Sequence, residues 1–179
     1  MTKIIVLDRD GVINEDSDNF IKSADEWQPI EGSLEAITRL YKAGWTVAVA
    51  TNQSGIKRGY YDRSTLSQMH IKMQHLLRKQ GGRVDWLSYS PYLNDCGSVC
   101  RKPLDGMLRA IELRYDCDLK GMPMVGDSLA DIKAAQMLGL QPFLVRTGKG
   151  ERSLASGDKC LQNVPVYANL YEFVKEWLA

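Results

Sequence analysis

Apolar residues gather into short blocks along this chain, and the blocks that read as strands are repeatedly closed by polar residues. Ile4-Ile5-Val6-Leu7 is an unbroken apolar run, mostly β-branched, which predicts a strand buried on both faces. Trp45–Ala50 predicts a second strand, Val84–Tyr89 a weaker third, Met122–Val125 a fourth and Pro142–Val145 a fifth. A last edge strand is expected within Cys160–Tyr167. Between these blocks the period becomes helical. Leu34, Ile37, Leu40 and Tyr41 follow Ser33, a predicted N-cap, and Gly44 suits the C′ position. Ser64–Gln80 carries Leu66, Met69, Met73, Leu76 and Leu77 on one face. Pro103 is expected to open a helix through Met107, Leu108 and Ile111. Ile132, Ala135 and Leu138 mark another helix, closed by Gly139, and Leu170, Phe173, Val174, Trp177 and Leu178 mark the last. Strand and helix alternate, which predicts an α/β fold: an open parallel sheet between two helical layers.

The polar residues that end the strands are chemically unusual. Asp8-Arg9-Asp10-Gly11 closes the first strand with two carboxylates. Held close, like charges raise each other's pKa unless a cation sits between them, and a hard divalent ion such as Mg²⁺ suits oxygen ligands. A solvated Asp-Gly turn accounts for this short stretch equally well. Thr51-Asn52-Gln53-Ser54-Gly55 closes the second strand with hydroxyls, amides and a glycine able to hold a phosphate oxygen, followed by Lys57 and Arg58. Arg101-Lys102 precedes the helix expected at Pro103, where cations are poorly placed for the helix dipole and suit an anion or carboxylate partner. Gly126-Asp127 closes the fourth strand, and Asp131 falls in the next helix's first turn, where the dipole alone would also favour it. Ligands of open α/β sheets bind along this edge. Four polar clusters there are hard to dismiss as turns.

Composition narrows the setting. The chain has 179 residues, 44% of them hydrophobic, which fits one globular domain over residues 1–179. A formal net charge of +1 gives no sign of nucleic-acid or membrane partners. No apolar run approaches a membrane span and no signal peptide is visible, so a cytoplasmic protein with reduced thiols is expected. His70 and His75 are five apart and therefore not a helical metal pair; they read as surface or partly buried structural residues. Cys96 and Cys100 offer too few ligands for structural zinc.

The ordered set Asp8-x-Asp10-Gly11, Thr51-Asn52, Lys102 and Gly126-Asp127-x-x-x-Asp131 resembles the haloacid-dehalogenase superfamily of phosphohydrolases. Leu7–Gly11, Thr51–Ile56 with Arg58-Gly59, Cys100–Pro103 and Val145–Lys149 narrow the resemblance to the heptose-1,7-bisphosphate 7-phosphatases, relatives of the histidinol-phosphate phosphatases. The resemblance implies a phosphatase that uses an aspartyl-phosphate, with Asp8 as nucleophile and Asp10 as general acid/base. It implies Mg²⁺ held by Asp8, the Asp10 carbonyl and Asp127, with Asp131 beside them. Thr51 and Lys102 match the groups that hold the transferring phosphoryl group, and Asn52, Arg58 and Arg101 match positions near the substrate. The implied substrate is a small sugar bisphosphate that loses its 7-phosphate to give the 1-phosphate, a precursor of nucleotide-activated heptose and lipopolysaccharide. A monomer is expected.

Two departures bear on the pocket. Where related enzymes often carry zinc-binding C-x-H and C-x-C pairs, this chain has Ser90-Pro91-Tyr92 and Ser98-Val99-Cys100, so zinc is not expected. The loop is expected to be held by packing of Tyr92 and Leu93 instead. Leu104-Asp105-Gly106 replaces the usual His-Pro-Gly. The segments 12–28 and 90–100 fall short of the ~50 residues of a small domain, so they are expected to wall an open site rather than cap it. Four alternatives are weighed: histidinol phosphate, a nucleic-acid 3′-phosphate, a phosphate-binding protein that has lost catalysis, or a non-catalytic phosphoacceptor module. The last would need an acceptor aspartate at the third strand's end, where the chain has Tyr89-Ser90.

Overall fold

A computed structural model describes residues 3–179. Six strands form one sheet: β1 (Ile4–Leu7), β2 (Thr46–Asn52), β3 (Trp86–Ser90), β4 (Pro123–Gly126), β5 (Gln141–Val145) and β6 (Val166–Tyr167). Their order is β3-β2-β1-β4-β5-β6, and every neighbouring pair is parallel. Six α-helices accompany them: α1 (Ser33–Lys42), α2 (Arg63–Lys79), α3 (Gly106–Tyr115), α4 (Leu129–Leu138), α5 (Gly150–Ala155) and α6 (Leu170–Trp177). This is the three-layer parallel architecture that the alternation predicts.

β1 shows why the sheet needs helices on both sides. Successive side chains of a strand point to opposite faces. Ile5 and Leu7 join one core with residues of α1, α2 and α6, and Ile4 and Val6 join another with residues of α3 and α4. An apolar run without alternation can be buried only between two such layers. The chain runs outward from β1 in both directions, to β2 and β3 on one side and to β4, β5 and β6 on the other. A crevice opens at the carboxyl end of the strands where that order reverses. Asp8 follows β1 directly into this crevice.

Local structure departs from the sequence pattern at four places. Gly32, not Ser33, caps α1, in a left-handed conformation with φ of 78°. The Ser33 hydroxyl instead donates to the Ile13 carbonyl at 2.6 Å and ties α1 to the segment after β1. β2 continues through Thr51 and Asn52, because both pair with β3, at Tyr89 and Ser90. α3 begins at Gly106 rather than Pro103; Leu104 N–H donates to the Arg101 carbonyl and Gly106 N–H to the Val99 carbonyl, so residues 101–105 form turns. Arg101 and Lys102 therefore do not sit at a helix N-terminus. A short helix, α5, follows the basic segment 146–150, a feature with too few apolar positions to leave a periodic trace.

The segment between β1 and α1 is a tethered flap. Trp27 is fully buried beneath it, and Asn14 bridges to Pro29. Lys72 of α2 donates to the carbonyls of Ala24 and Trp27 at 2.7 and 2.6 Å. Among the described residues no helix is long and apolar enough to cross a membrane.

α6 closes one core with aromatic rings. Phe173 is fully buried, with its ring centroid 4.7 Å from Phe143, 5.3 Å from Tyr167 and 5.5 Å from Trp177. Phe173→Ala should lower unfolding free energy by about 3–5 kcal/mol in urea titrations, the cost of a large buried ring and the void it leaves. A loss under about 1 kcal/mol would mean the cluster repacks freely.

Candidate active site

Lys102 is the cation around which the crevice floor is built. Its ammonium is buried and donates to Asp131 Oδ1 at 2.6 Å, to Asp8 Oδ1 at 2.9 Å and to the Ala50 carbonyl at 2.6 Å. An ammonium has three protons, and all three are placed. Burial opposes its charge, but the Asp131 and Asp8 carboxylates outweigh that and push its pKa above the ordinary value. Asn52 fixes the lysine's backbone: its amide donates to the Lys102 carbonyl at 3.0 Å and accepts from the Lys102 N–H at 3.1 Å. The side chain of Asn52 is thus committed to Lys102 although it also lines the crevice.

Asp131 is occupied on both oxygens. Oδ1 takes Lys102, and Oδ2 takes the N–H and hydroxyl of Ser128, forming the capping box of α4. Both the helix-start role and the lysine-partner role fall to this one carboxylate. Asp8 Oδ1 accepts from Lys102 and from the Arg9 N–H at 2.7 Å, while Oδ2 has no protein donor among the described residues. Asp127 Oδ2 accepts from the Lys149 N–H at 2.7 Å. Carboxylate oxygens of Asp8, Asp127 and Asp131 lie within 4.8 Å of one another. Burial, and then the charge of Asp131, raises the Asp8 pKa to about 7 against the partial relief given by Lys102. Burial and the charges of Asp8 and Asp131 hold Asp127 well above its ordinary value too.

Two glycines let three segments meet here. Gly11 has φ of 81°, and a Cβ on it would lie 2.0 Å from Asp127 Oδ2. A Cβ on Gly148 would lie 2.2 Å from the same oxygen and 2.4 Å from the Gly11 Cα. Thr147 adds a hydrogen bond to the Gly11 carbonyl at 2.6 Å.

Asp10 turns away from this acidic group into a set of donors. Its Oδ1 accepts from Arg9 Nη2 at 2.8 Å and Asn14 Nδ2 at 2.8 Å, and its Oδ2 accepts from Gln53 Nε2 at 2.7 Å. Burial opposes the charged form, but the Arg9 guanidinium and these hydrogen bonds outweigh it and lower the Asp10 pKa. Arg9 is itself fully buried, with Nη1 at 3.1 Å from His70 Nε2. A guanidinium can only donate, so this nitrogen of His70 carries no proton. Burial and then Arg9 push the His70 pKa down to about 3, which keeps the ring neutral. Gln53 Nε2 also donates to Thr51 Oγ1 at 2.9 Å, and its oxygen accepts from the Tyr61 hydroxyl at 2.5 Å. Burial raises the Tyr61 pKa to about 12, so the hydroxyl keeps its proton. The sequence reading assigns no role to Arg9, Asn14 or Tyr61; it places Gln53 in a phosphate-holding cluster and reads His70 as a surface or partly buried structural residue. Arg9 and Gln53 stand inside its motifs, Tyr61 lies two residues before α2, and His70 comes from α2 itself.

The cavity above this floor has a volume of about 620 Å³ and is lined by Asp8, Asp10, Thr51, Lys102 and Asp127 at its base. Its walls include Asp16, Phe20 and Ile21 of the flap, and Leu93, Asn94 and Ser98 of the loop after β3. That loop is not held by packing of Tyr92, whose side chain is exposed. Arg101 holds it instead, donating to Asn94 Oδ1 at 2.6 Å and to the Tyr92 carbonyl at 3.0 Å. Burial and the nearby positive charge of Arg58 lower the Arg101 pKa. Arg58 itself lies over the Phe20 ring at 5.8 Å and is not among the residues that line the cavity. The flap is fastened to the basic segment by Lys149–Asp16 at 3.1 Å and Arg152–Asp18 at 3.1 Å.

Comparison with known proteins gives a consistent result. The family model for HAD-hydrolase-like proteins matches residues 99–173. A D-glycero-β-D-manno-heptose-1,7-bisphosphate 7-phosphatase of Pseudomonas putida is 57% identical over 155 residues, covering 87% of this chain and 89% of that protein. One of Neisseria meningitidis is 45% identical over 172 residues, covering 96% and 92%. The crystal structure of the D,D-heptose 1,7-bisphosphate phosphatase of Bordetella bronchiseptica, complexed with magnesium and phosphate, superimposes with a TM-score of 0.95 at 50% identity, covering 99% of this chain and 98% of that one.

The donor set fits a hard divalent cation. It consists of oxygen only, it is buried, and the one ammonium at its base is already shared between Asp8 and Asp131. The resulting pH dependence has a definite sign. Unfolded chain releases the Asp8 proton near 3.8, but the folded protein holds it to about 7. Chelated protein should therefore lose stability as pH rises between these values, because the unfolded state sheds its proton first. Mg²⁺ binds the deprotonated pair, so it should raise the melting temperature more at pH 8 than at pH 5. Equal Mg²⁺ shifts at the two pH values would contradict this account of the carboxylates.

Proposed function

The chain belongs to the haloacid-dehalogenase-like hydrolases, among the D-glycero-β-D-manno-heptose-1,7-bisphosphate 7-phosphatases, and from this we infer that it cleaves the 7-phosphate from that sugar bisphosphate. It is a phosphoric monoester hydrolase, and Mg²⁺ is its cofactor. The observation that carries the reading is the acidic floor: a nucleophile-ready carboxylate, Asp8, fixed through one oxygen by Lys102 and with its other oxygen open to the cavity.

Asp8, Asp127 and the Asp10 carbonyl would hold Mg²⁺. The chemistry it supplies when bound is neutralisation of the phosphoryl oxygens and of the carboxylates that face them. Asp8 Oδ2 attacks phosphorus, and the bond from phosphorus to the sugar oxygen breaks. That oxygen takes the electron pair and a proton from Asp10, because an alkoxide is a poor leaving group. Water then gives a proton to Asp10 and its oxygen attacks phosphorus. The bond to Asp8 breaks, and inorganic phosphate leaves. The donors around Asp10 favour its ionised form, so the first step draws on the protonated minority of Asp10 and the second returns the proton to it. Thr51 and Lys102 line the base of the cavity and would donate to the equatorial phosphoryl oxygens. Lys102 would have to exchange one of its present acceptors to provide one.

The second phosphate of the substrate needs cations away from the floor. Arg101 spends two of its nitrogens on the wall and keeps Nη2 without a protein acceptor among the described residues. Arg101, with Arg58 near it, suits the 1-phosphate, and the two wall loops would set the distance between the phosphates. Histidinol would bring a cation into these surroundings, where the arginines would repel it. A 3′-phosphorylated nucleic acid would need a broad basic face, and the net charge is only +1.

A phosphate-release screen tests the reading. The β-anomer of heptose 1,7-bisphosphate should be hydrolysed faster than the α-anomer, histidinol phosphate or a 3′-phosphorylated oligonucleotide. Chelation should stop turnover and Mg²⁺ restore it. Asp8→Asn should cost more than ~10³-fold in kcat without unfolding the protein. Arg101→Ala should raise KM about tenfold for the bisphosphate and little for a sugar 7-monophosphate. Faster release from histidinol phosphate would overturn the substrate assignment.

A further inference from the structure

The Asp10 carboxylate is held unevenly. Oδ1 accepts from Arg9 and Asn14, whereas among the described residues Oδ2 accepts only from Gln53. Oδ2 therefore keeps a lone pair to spare, and Gln53 sets the direction in which it points. The amide of Gln53 has one oxygen and one NH₂, so its orientation matters. With the NH₂ toward Asp10 it also reaches Thr51, and its oxygen receives the Tyr61 hydroxyl. Turned over, it would set its oxygen against the Asp10 carboxylate, which can only accept.

Tyr61 is placed by means that do not involve the active site. Its ring lies against Gly55, where a Cβ would stand 2.3 Å from Cε1 and 2.9 Å from the hydroxyl. Only a glycine lets the turn after β2 approach so closely. The next residue, Asp62, caps α2 by accepting from the Thr65 N–H at 2.7 Å, which anchors the backbone of Tyr61 to a 17-residue helix. We propose that Tyr61 and Gln53 are positioning residues for the reaction: a relay that carries the rigidity of α2 to Asp10 and aims its Oδ2 for proton transfer.

The proposal rests on the reading of Asp10 as the proton shuttle, and leaving-group chemistry separates the two. A sugar alkoxide needs a proton as it leaves, but nitrophenolate from p-nitrophenyl phosphate does not. The quantity to compare is kcat/KM, which counts only the steps up to release of the alcohol. Tyr61→Phe keeps the ring against Gly55 and removes only the hydroxyl. It should lower kcat/KM for heptose bisphosphate about tenfold and leave that for p-nitrophenyl phosphate within about twofold. Asp10→Asn should show the same contrast more strongly, and adding Tyr61→Phe to it should cost nothing more. If Asp10→Asn shows the contrast and Tyr61→Phe does not, or if the two losses multiply, the relay is refuted while the shuttle stands. If Asp10→Asn slows both substrates equally, the shuttle assignment falls and the relay falls with it.

Discussion

A buried ammonium between two carboxylates is the interaction on which this site depends. Removing Lys102 from water is expensive, and the expense is recovered only because each of its protons meets an acceptor. Those acceptors come from separate segments: the end of β1, the end of β2 and the first turn of α4. Asp131, which holds Lys102, is itself held by Ser128 in the capping box. The start of α4 and the orientation of Asp8 are therefore one arrangement. Removing Lys102, Asp8 or Asp131 would leave a buried charge without its partner, a strongly destabilising change. The acidic excess that remains after Lys102 is satisfied is what prepares the pocket for a cation.

The two aspartates of the first motif, only two residues apart, are given opposite surroundings. Asp8 stands among like charges with a single cation beside it, and its carboxyl is pushed up to about 7. Asp10 stands among donors, with a buried guanidinium at its back, and its carboxyl is pushed down. Environments that move neighbouring titratable groups apart let one site hold two carboxyl groups of different proton affinity. Arg9, between them in sequence, produces much of the difference. Its backbone N–H serves Asp8 while its side chain serves Asp10.

The sheet, its helices and the floor of the site were legible because each leaves a local trace. Buried parallel strands read as apolar runs, and Asp8, Asp10, Thr51, Lys102 and Asp127 end or follow such runs. What was not legible depends on side chains that meet only after folding. Tyr61 reaches the site from just before α2 and His70 from α2 itself, and nothing in their own neighbourhoods marks them. Ser33 looked like a cap but serves a carbonyl twenty residues earlier. Pro103 looked like a helix start, although backbone bonds across 99–106 delay α3 to Gly106. Tyr92 looked like an anchor, yet Arg101 holds the loop.

Gly11 and Gly148 touch across nearly the whole length of the chain, with Asp127 wedged against both. Timing during synthesis follows from this contact. A nascent chain emerging from the ribosome carries Asp8 and Asp10 almost at once, but the Lys149 N–H and Gly148 that seat Asp127 arrive more than a hundred residues later. A chain that ends before residue 148 lacks the backbone N–H and the close glycine contact that seat Asp127, so the acidic group is fully seated only once this late segment is in place.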